Sequence, residues 1–276
     1  MLRLTGGELR IGLAPSGIGL LHHRGWPRQR STVLGSGEFS DGAAVSVDEL
    51  AAQLDALLAA SPCRGLPARL VLADAWTRSW MVTPPSNAVR LADCQAAAAA
   101  RFQTLYGEPP SAWQSAADWH ARLPFLASAL PAALVTALRR VCAEHRLVLL
   151  EIVPQFIAGW NRWCGALEDG AWFGVLQGST LTLGAVSAGR LCALRSLALP
   201  RWAGTDPQWL RQAVQREALR SMLSPPSALA LCGDVPAAWI VNAPGDWTCR
   251  RLDREFRAET GAAPSSALQL AAMGWP

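Results

Sequence analysis

The sequence predicts an α/β protein made of two similar halves with mixed sheets. Each half begins with short β-rich runs joined by tight turns and continues with alternating helix and strand patterns. No tandem repeat and no low-complexity linker interrupts this order. The chain has 276 residues, of which 51% are hydrophobic, and this is enough to form a sizeable buried core.

The first half opens with a strand–turn–strand pattern over residues 8–13 and 17–21. Leucine spacing predicts a helix over residues 48–58, for which Ser46 is a suitable N-cap. The other elements predicted for this half are strands at 68–73 and 76–82, helices at 91–106 and 131–145, a strand at 147–153 and a helix at 155–167.

The second half opens near Ala171 with three successive strands. The elements predicted for it are strands at 171–176, 180–186 and 190–199, a helix at 207–223, strands at 228–232 and 247–252, and a last helix from residue 265. We therefore expect two lobes, residues 1–165 and residues 166–276, with an inserted helical region in the first at about 85–128.

The basic residues exclude several classes of enzyme. All 25 of them are arginine, and the sequence contains no lysine. P-loop NTPases, pyridoxal enzymes, Schiff-base aldolases and protein kinases of the usual kind each need a primary amine, so none of these classes fits. The formal net charge of +4 is too small to require nucleic acid or an anionic membrane as a partner.

The cysteine pattern favours reduced, buried thiols. The seven cysteines are odd in number, form no C-x-x-C pair and have no histidine at zinc spacing, so we expect neither a disulfide framework nor a metal site. Charged residues interrupt any signal-peptide core near the N-terminus, and no apolar stretch reaches the roughly 18 residues of a membrane span. A cytoplasmic protein is the expectation.

Few residues suggest independent catalysis. Asp74 follows a predicted strand, which is a favourable catalytic address in α/β folds, but helix capping is the alternative. Cys232 lies on a predicted buried strand, where core packing is the alternative to a nucleophile. An unrelated α/β enzyme that uses Asp74 or Cys232 stays open as a function.

Four stretches resemble the actin-like ATPase fold, a duplicated ribonuclease H-like architecture with two lobes, which we expect here in full or in reduced form. They are residues 11–19 (IGLAPSGIG), residues 151–158 (EIVPQFIA), residues 175–180 with the strand 190–196 (RLCALRS), and residues 231–234 (LCGD). Within this fold the sequence is most similar to the type IV pilus assembly protein PilM and the cytoplasmic domain of the type II secretion protein GspL.

The resemblance implies a nucleotide cleft lined by two phosphate loops and an adenosine loop. The positions that correspond to it are Gly12, Ser16, Gly17, Gly178, Ser179 and Gly233. The family places an aspartate in each phosphate loop and often a lysine after the first, whereas this chain has Gly12, Leu176 and Gly19 there. Magnesium needs such carboxylates, so we expect no catalysis, no bound metal and at most doubtful ATP binding.

The resemblance also implies a partner. A groove in the first lobe would receive the cytoplasmic tail of an inner-membrane pilus or secretion protein, which makes the chain a non-catalytic scaffold at the inner face of the inner membrane. It would then meet the membrane through protein contacts only. The alternative within the same fold is a conformational switch that binds nucleotide without hydrolysing it.

Two segments are candidates for partner contact. Residues 76–80 alternate so that Trp76, Arg78 and Trp80 share one side, which predicts either a docking patch or ordinary core packing. The basic segment from Arg24 to Arg30 also carries Trp26 and Arg28, and it is predicted to be an exposed connection or a contact for an acidic protein.

Overall fold

A computed structural model describes residues 7–24, 30–39, 45–226, 228–240, 247–253 and 265–273. The α-helices of these ranges are α1 (Val47–Ala59), α2 (Leu91–Tyr106), α3 (Ala132–Glu144), α4 (Gln155–Trp163), α5 (Pro207–Arg220) and α6 (Ser266–Met273). The strands are β1 (Glu8–Ala14), β2 (Gly17–Arg24), β3 (Arg30–Glu38), β4 (Pro67–Leu72), β5 (Arg78–Val82), β6 (Trp113–Ala117), β7 (Phe125–Pro131), β8 (Val148–Pro154), β9 (Trp172–Gln177), β10 (Thr180–Ser187), β11 (Arg190–Ala198), β12 (Ala228–Gly233) and β13 (Thr248–Arg251).

Two five-stranded sheets share one topology. The first has the order β3-β2-β1-β4-β8 and the second the order β11-β10-β9-β12-β13. In each sheet an antiparallel meander of three strands is followed by two parallel strands. This duplication confirms the α/β prediction of two similar halves with mixed sheets. A separate antiparallel sheet has the order β5-β7-β6 and packs against α2.

Three strands differ from the sequence prediction. β3 follows the basic segment, and its glycine- and serine-rich sequence (RSTVLGSGE) has no alternating apolar pattern. β6 and β7 lie in the region that was expected to be helical, about 85–128, where only α2 confirms that expectation. Their alanine-rich sequences (WQSAA and FLASALP) have weak β-propensity, and pairing between them and β5 forms the strands.

The chain divides into two compact units that interleave along the sequence. Unit 1 comprises residues 1–76, 132–162 and 254–276, and unit 2 comprises residues 77–131 and 163–253. The expected lobes at 1–165 and 166–276 are continuous segments, so they differ from these units. The last helix, α6, packs on β1 and β2 of the first sheet, a long-range contact that no local sequence pattern reveals.

A row of charged side chains crosses β1, β4 and β8, three neighbouring parallel strands of the first sheet. Glu8 on β1 accepts hydrogen bonds from Arg10 Nε at 2.7 Å and from Arg69 Nε at 3.1 Å. Arg69 on β4 also donates through Nη1 to Glu151 Oε1 on β8 at 2.6 Å. Arg69 is in register with Arg10 on one side and with Glu151 on the other, so these ion pairs connect β1, β4 and β8.

Helix ends follow the expected capping chemistry. Ser46 Oγ accepts a hydrogen bond from Glu49 N at 3.1 Å, which confirms it as the N-cap of α1. Gly107 ends α2 in the left-handed conformation. None of the helices within the described ranges combines the length and the hydropathy that crossing a bilayer requires.

Lowering the pH is expected to reduce the stability of unit 1, because Glu8 then becomes protonated. Burial raises the pKa of Glu8, but the hydrogen bonds and charges of Arg10 and Arg69 outweigh it, so the net pKa lies below its ordinary value of 4.5. A depressed pKa contributes stability above the unfolded-state pKa, and this contribution is lost as the pH falls through the folded-state pKa. Glu8→Gln is therefore expected to flatten the loss of stability in acid, measured by urea unfolding over a pH series.

Glu144→Gln is the matched control, because Glu144 forms only an exposed pair with Arg140 on α3. This variant should keep the acid sensitivity of the wild type. If Glu8→Gln and the wild type lost stability in parallel below the glutamate pKa, the charged row would not carry the pH dependence.

Candidate functional site

The first predicted phosphate loop is the turn between β1 and β2. Gly12 pairs with Gly19 across the two strands, and both glycines face α6. A Cβ atom on Gly12 would lie 2.0 Å from the carbonyl oxygen of Ala267, and one on Gly19 would lie 2.7 Å from Leu268 N. These two glycines are therefore explained by the close approach of a helix to the sheet.

The rest of this turn is also explained by backbone packing. A Cβ atom on Gly17 would lie 2.2 Å from the carbonyl oxygen of Gly37 on β3. Ser16 is exposed, and its carbonyl oxygen accepts a hydrogen bond from Phe39 N at 3.0 Å. The end of the third strand, β3, therefore packs against the turn between β1 and β2. An aspartate in place of Gly12 would collide with α6, so this position cannot carry the carboxylate of the family pattern.

The second predicted phosphate loop joins β9 to β10 in unit 2. Gly178 and Ser179 are exposed at its tip, and Gly178 has a φ of +53°, which favours glycine. The Gly178 N–H donates to Asp234 Oδ2 at 3.1 Å. A backbone donor of the kind that phosphate loops offer to a ligand is here bonded to a carboxylate of the same unit.

The predicted adenosine loop at the end of β12 is tightly tied to β9. Gly233 has a φ of +95°, and a Cβ atom there would lie 2.1 Å from the carbonyl oxygen of Leu176. Its N–H donates to Asp253 Oδ2 at 2.9 Å. Arg251 in turn donates to Asp253 Oδ1 and to the Gly233 carbonyl oxygen, each at 2.9 Å. The backbone conformation and the close contact with Leu176 are therefore enough to explain this glycine, and no ligand is needed to explain it.

Leu176 stands where the family pattern has its second aspartate. Its side chain is buried in the hydrophobic cluster of unit 2 among other leucines. A carboxylate that replaced it would lose its hydration inside an apolar cluster. The structure therefore places Gly178 and Gly233 at the neighbouring ends of β9 and β12, with the Asp234 carboxylate bonded to the Gly178 N–H.

Trp80 of the predicted docking patch is a core residue. It is only 3% exposed and packs edge-on against Phe102 and Tyr106 of α2, with ring centroids 5.1 and 6.2 Å apart. Core packing, the alternative left by the sequence, therefore applies to Trp80. Trp76 lies in a 3-10 turn of unit 1 and is half-buried.

Arg78 shares the face of Trp80 but reaches the surface. Its guanidinium carbon lies 5.4 Å from the centroid of Tyr106 and 5.0 Å from that of Trp113. Nη2 donates to Glu108 Oε1 at 3.1 Å, and the arginine side chain stays 31% exposed. Two aromatic rings and a carboxylate thus hold one guanidinium in a fixed position at the surface of unit 2.

The catalytic candidates have structural roles. Asp74 Oδ1 accepts a hydrogen bond from Phe156 N at 3.0 Å, which caps the start of α4. Cys232 is fully buried. Burial raises the pKa of Cys142 to about 11 and that of Cys249 to about 12, so these thiols stay protonated at neutral pH. Across the ranges that the structure describes, no cluster of three metal-ligating side chains forms.

The basic segment is described only at its ends. Arg24 closes β2 and Arg30 opens β3, and the two residues pair across the antiparallel strands. Both are exposed. Trp26 and Arg28 lie outside the described residues.

Comparison with solved structures identifies the fold. The chain is similar to a PilM–PilN type IV pilus biogenesis complex with a TM-score of 0.65 and 15% sequence identity, over 98% of both chains. It is also similar to a Bacteroides thetaiotaomicron protein with an actin-like ATPase fold, with a TM-score of 0.61 and 11% identity, over 99% of both chains. The chain has the actin-like ATPase fold.

A third neighbour comes from a secretion system. The cytoplasmic domain of EpsL, an inner-membrane component of the type II secretion system of Vibrio cholerae, matches with a TM-score of 0.55 and 10% identity, over 96% of this chain and 92% of that chain. No protein-family model matches the sequence, and no curated protein does either. The predicted resemblance to the actin-like proteins of pili and secretion systems is thus confirmed as a similarity of fold.

The packing of α6 against the first loop can be tested at Gly12. Gly12→Ala places a Cβ atom against the Ala267 carbonyl oxygen, and we expect it to lower the free energy of unfolding by about 3 kcal/mol. Gly165→Ala is the control, because a Cβ atom there meets nothing within 4 Å. Urea unfolding of both variants measures the difference, and equal stabilities would show that α6 does not pack on Gly12.

The carboxylate at the second loop can be tested at Asp234. Asp234→Ala removes the acceptor of the Gly178 N–H, so amide hydrogen exchange at Gly178 should become faster. Asp169→Ala is the control, since Asp169 accepts from Ala188 N at a different turn of the same sheet. Unchanged exchange at Gly178 in Asp234→Ala would contradict the assigned contact.

Proposed function

We propose that this chain is a non-catalytic, actin-like component of a type IV pilus or type II secretion assembly at the inner face of the inner membrane. In this role it binds the cytoplasmic tail of a membrane-spanning partner and serves as a scaffold. The observation that carries the proposal is the combination of a full-length actin-like fold with phosphate loops whose key positions are filled by the chain itself.

The fold supports the class of assembly. The similarity to the PilM–PilN complex extends over 98% of both chains, so this chain needs neither a large insertion nor a deletion to adopt that architecture. The second neighbour from a membrane-associated machine, the EpsL cytoplasmic domain, also matches over most of its length. One neighbour thus belongs to type IV pilus biogenesis, and the other is a domain of an inner-membrane component of a secretion system.

The loops support the absence of catalysis. Phosphoryl transfer needs magnesium and oriented donors around the triphosphate. Gly12 and Leu176 cannot supply the magnesium carboxylates, because one position is pressed against α6 and the other is in the core. The carboxylate of Asp234 at the Gly178 amide would repel an incoming phosphate. We therefore propose that neither turnover nor a nucleotide switch operates in this chain.

Arg78 supports a docking surface in unit 2. Its guanidinium is already held by two rings and Glu108, so little side-chain entropy would be lost when a partner carboxylate or backbone carbonyl binds to it. The neighbouring rings add an apolar surface for an extended segment. Of the three predicted docking residues, Arg78 is the one that we retain for contact with the partner tail.

Affinity capture tests this function. The immobilised chain is incubated with detergent-solubilised membranes of the native host, and bound proteins are identified by quantitative mass spectrometry. We expect an inner-membrane protein with a short cytoplasmic tail to be enriched, and a synthetic peptide of that tail to bind with a Kd of about 1–100 μM, as small interfaces commonly do.

Arg78→Ala should weaken binding of the tail peptide by about fivefold or more. Arg101→Ala is the control, since Arg101 is an exposed arginine of α2 on the same structural unit. Capture of soluble proteins only would contradict the scaffold function. Equal binding by Arg78→Ala and the wild type would contradict this docking site.

A further inference from the structure

The end of helix α5 exposes two large apolar side chains. Leu219 is 70% exposed, and Met222, in the turn that follows the helix, is 93% exposed. The buried face of α5 is formed by Leu210, Ala213, Val214, Glu217 and Ala218. Leu219 therefore points away from the core of unit 2, and burial within the described fold does not explain it.

The exposed side of α5 is basic. Arg211, Arg216 and Arg220 are exposed, and the one acidic residue of the helix, Glu217, is only 2% exposed. Glu217 is bonded to Arg220 Nη1 at 2.6 Å and lies 3.6 Å from Arg195 Nε on β11. Because Arg195 and Arg220 offset the charge of this buried carboxylate, Arg211 and Arg216 give the exposed side of the helix a net positive charge.

Charge and apolar groups lie side by side at this end of the helix. Arg216 precedes Leu219 by three residues and Arg220 by four, so all three occupy neighbouring positions on the helix surface. Met222 follows within two residues of the helix end. We call the group formed by Arg211, Arg216, Leu219, Arg220 and Met222 the α5 surface.

Met222 has a backbone conformation that usually belongs to glycine. Its φ is +55°, and the hydrogen bond from Leu223 N to the Ala218 carbonyl oxygen at 2.9 Å completes a Schellman motif around it. A similar motif ends α3 at Arg146, a side chain that water solvates well. A methionine that is strained and almost fully exposed gains neither packing nor hydration, so its side chain does not stabilise this turn.

We propose that the α5 surface binds an anionic lipid surface. The arginines would contact headgroup phosphates, and Leu219 and Met222 would enter the boundary between headgroups and acyl chains. Arginine side chains can extend along an apolar surface while their guanidinium groups stay in the headgroup region. This contact is additional to tail docking and does not depend on it, since it uses different residues of unit 2.

The arrangement favours lipid over an acidic protein. An acidic protein would pair with the arginines, but it would need a matching pocket for two apolar side chains that project from the end of a helix. A fluid lipid interface accepts such projecting groups without a preformed pocket. An anionic lipid surface then accounts both for the exposed arginines and for the exposed apolar side chains.

Vesicle flotation of the full chain tests the proposal. We expect flotation with vesicles of phosphatidylcholine and phosphatidylglycerol, and little flotation with phosphatidylcholine alone. The double variant Arg211→Glu/Arg216→Glu should reduce partitioning to the anionic vesicles by about tenfold or more. Arg101→Glu, on α2, and Val89→Ser, which removes a side chain that is 83% exposed, are the matched controls and should bind like the wild type.

Met222→Gly separates lipid binding from folding. Glycine relieves the left-handed backbone, so this variant should unfold at a higher urea concentration than the wild type while floating less. The proposal would be overturned if Met222→Gly and Arg211→Glu/Arg216→Glu both floated as well as the wild type. Binding to poly-glutamate without binding to anionic vesicles would also overturn it, because it would assign the surface to an acidic protein.

Discussion

The packing of α6 on the paired glycines Gly12 and Gly19 is the contact on which unit 1 depends. It brings the end of the described chain against its first two strands, at a distance that no side chain on either glycine would allow. The helix presents Ala267 and Ala271 at the contact, so small residues meet on both sides. The same contact leaves no room for a side chain at Gly12, the position where the resemblance implies an aspartate in the first phosphate loop.

In unit 2 the predicted loops are held by hydrogen bonds to carboxylates, whereas in unit 1 the predicted loop is held by the packing of α6. The backbone amide of Gly178 is bonded to Asp234, and Asp253 with Arg251 fixes the neighbouring loop at Gly233. In both loops a backbone amide, that of Gly178 or that of Gly233, already has an acceptor within the protein. The absence of the aspartates that the resemblance implies and the internal use of the Gly178 and Gly233 amides therefore occur together in this chain, which supports the proposed non-catalytic function.

The sequence predicted the parts of the structure that depend on local patterns. Alternating strands with tight turns predicted the hairpin of β1 and β2 and the meander of β9 to β11. Leucine spacing and Ser46 predicted α1, and Asp74 was open to the capping role that it has at Phe156. β3, β6 and β7 were missed because their small or polar residues have little intrinsic strand preference. Only pairing with neighbouring strands reveals them.

The roles of the candidate site residues were harder to predict, because they depend on contacts between residues that are far apart in the sequence. Gly12, Gly17 and Gly233 were predicted to line a nucleotide cleft, and in the structure each of them lies against another part of the protein. Trp80 and Arg78 lie two residues apart on one strand face, yet one is in the core and the other reaches the surface. Alternation alone cannot distinguish these two environments, since it fixes the face and not the depth.

Calorimetric titration of the wild-type chain with ATP, with and without magnesium, tests the central claim most directly. If the loops are filled by α6 and Asp234, millimolar ATP should give no binding heat and no rise in melting temperature under either condition. Magnesium-dependent binding at micromolar ATP would contradict the account, because other groups would then have to supply the metal ligands and phosphate donors that these loops lack.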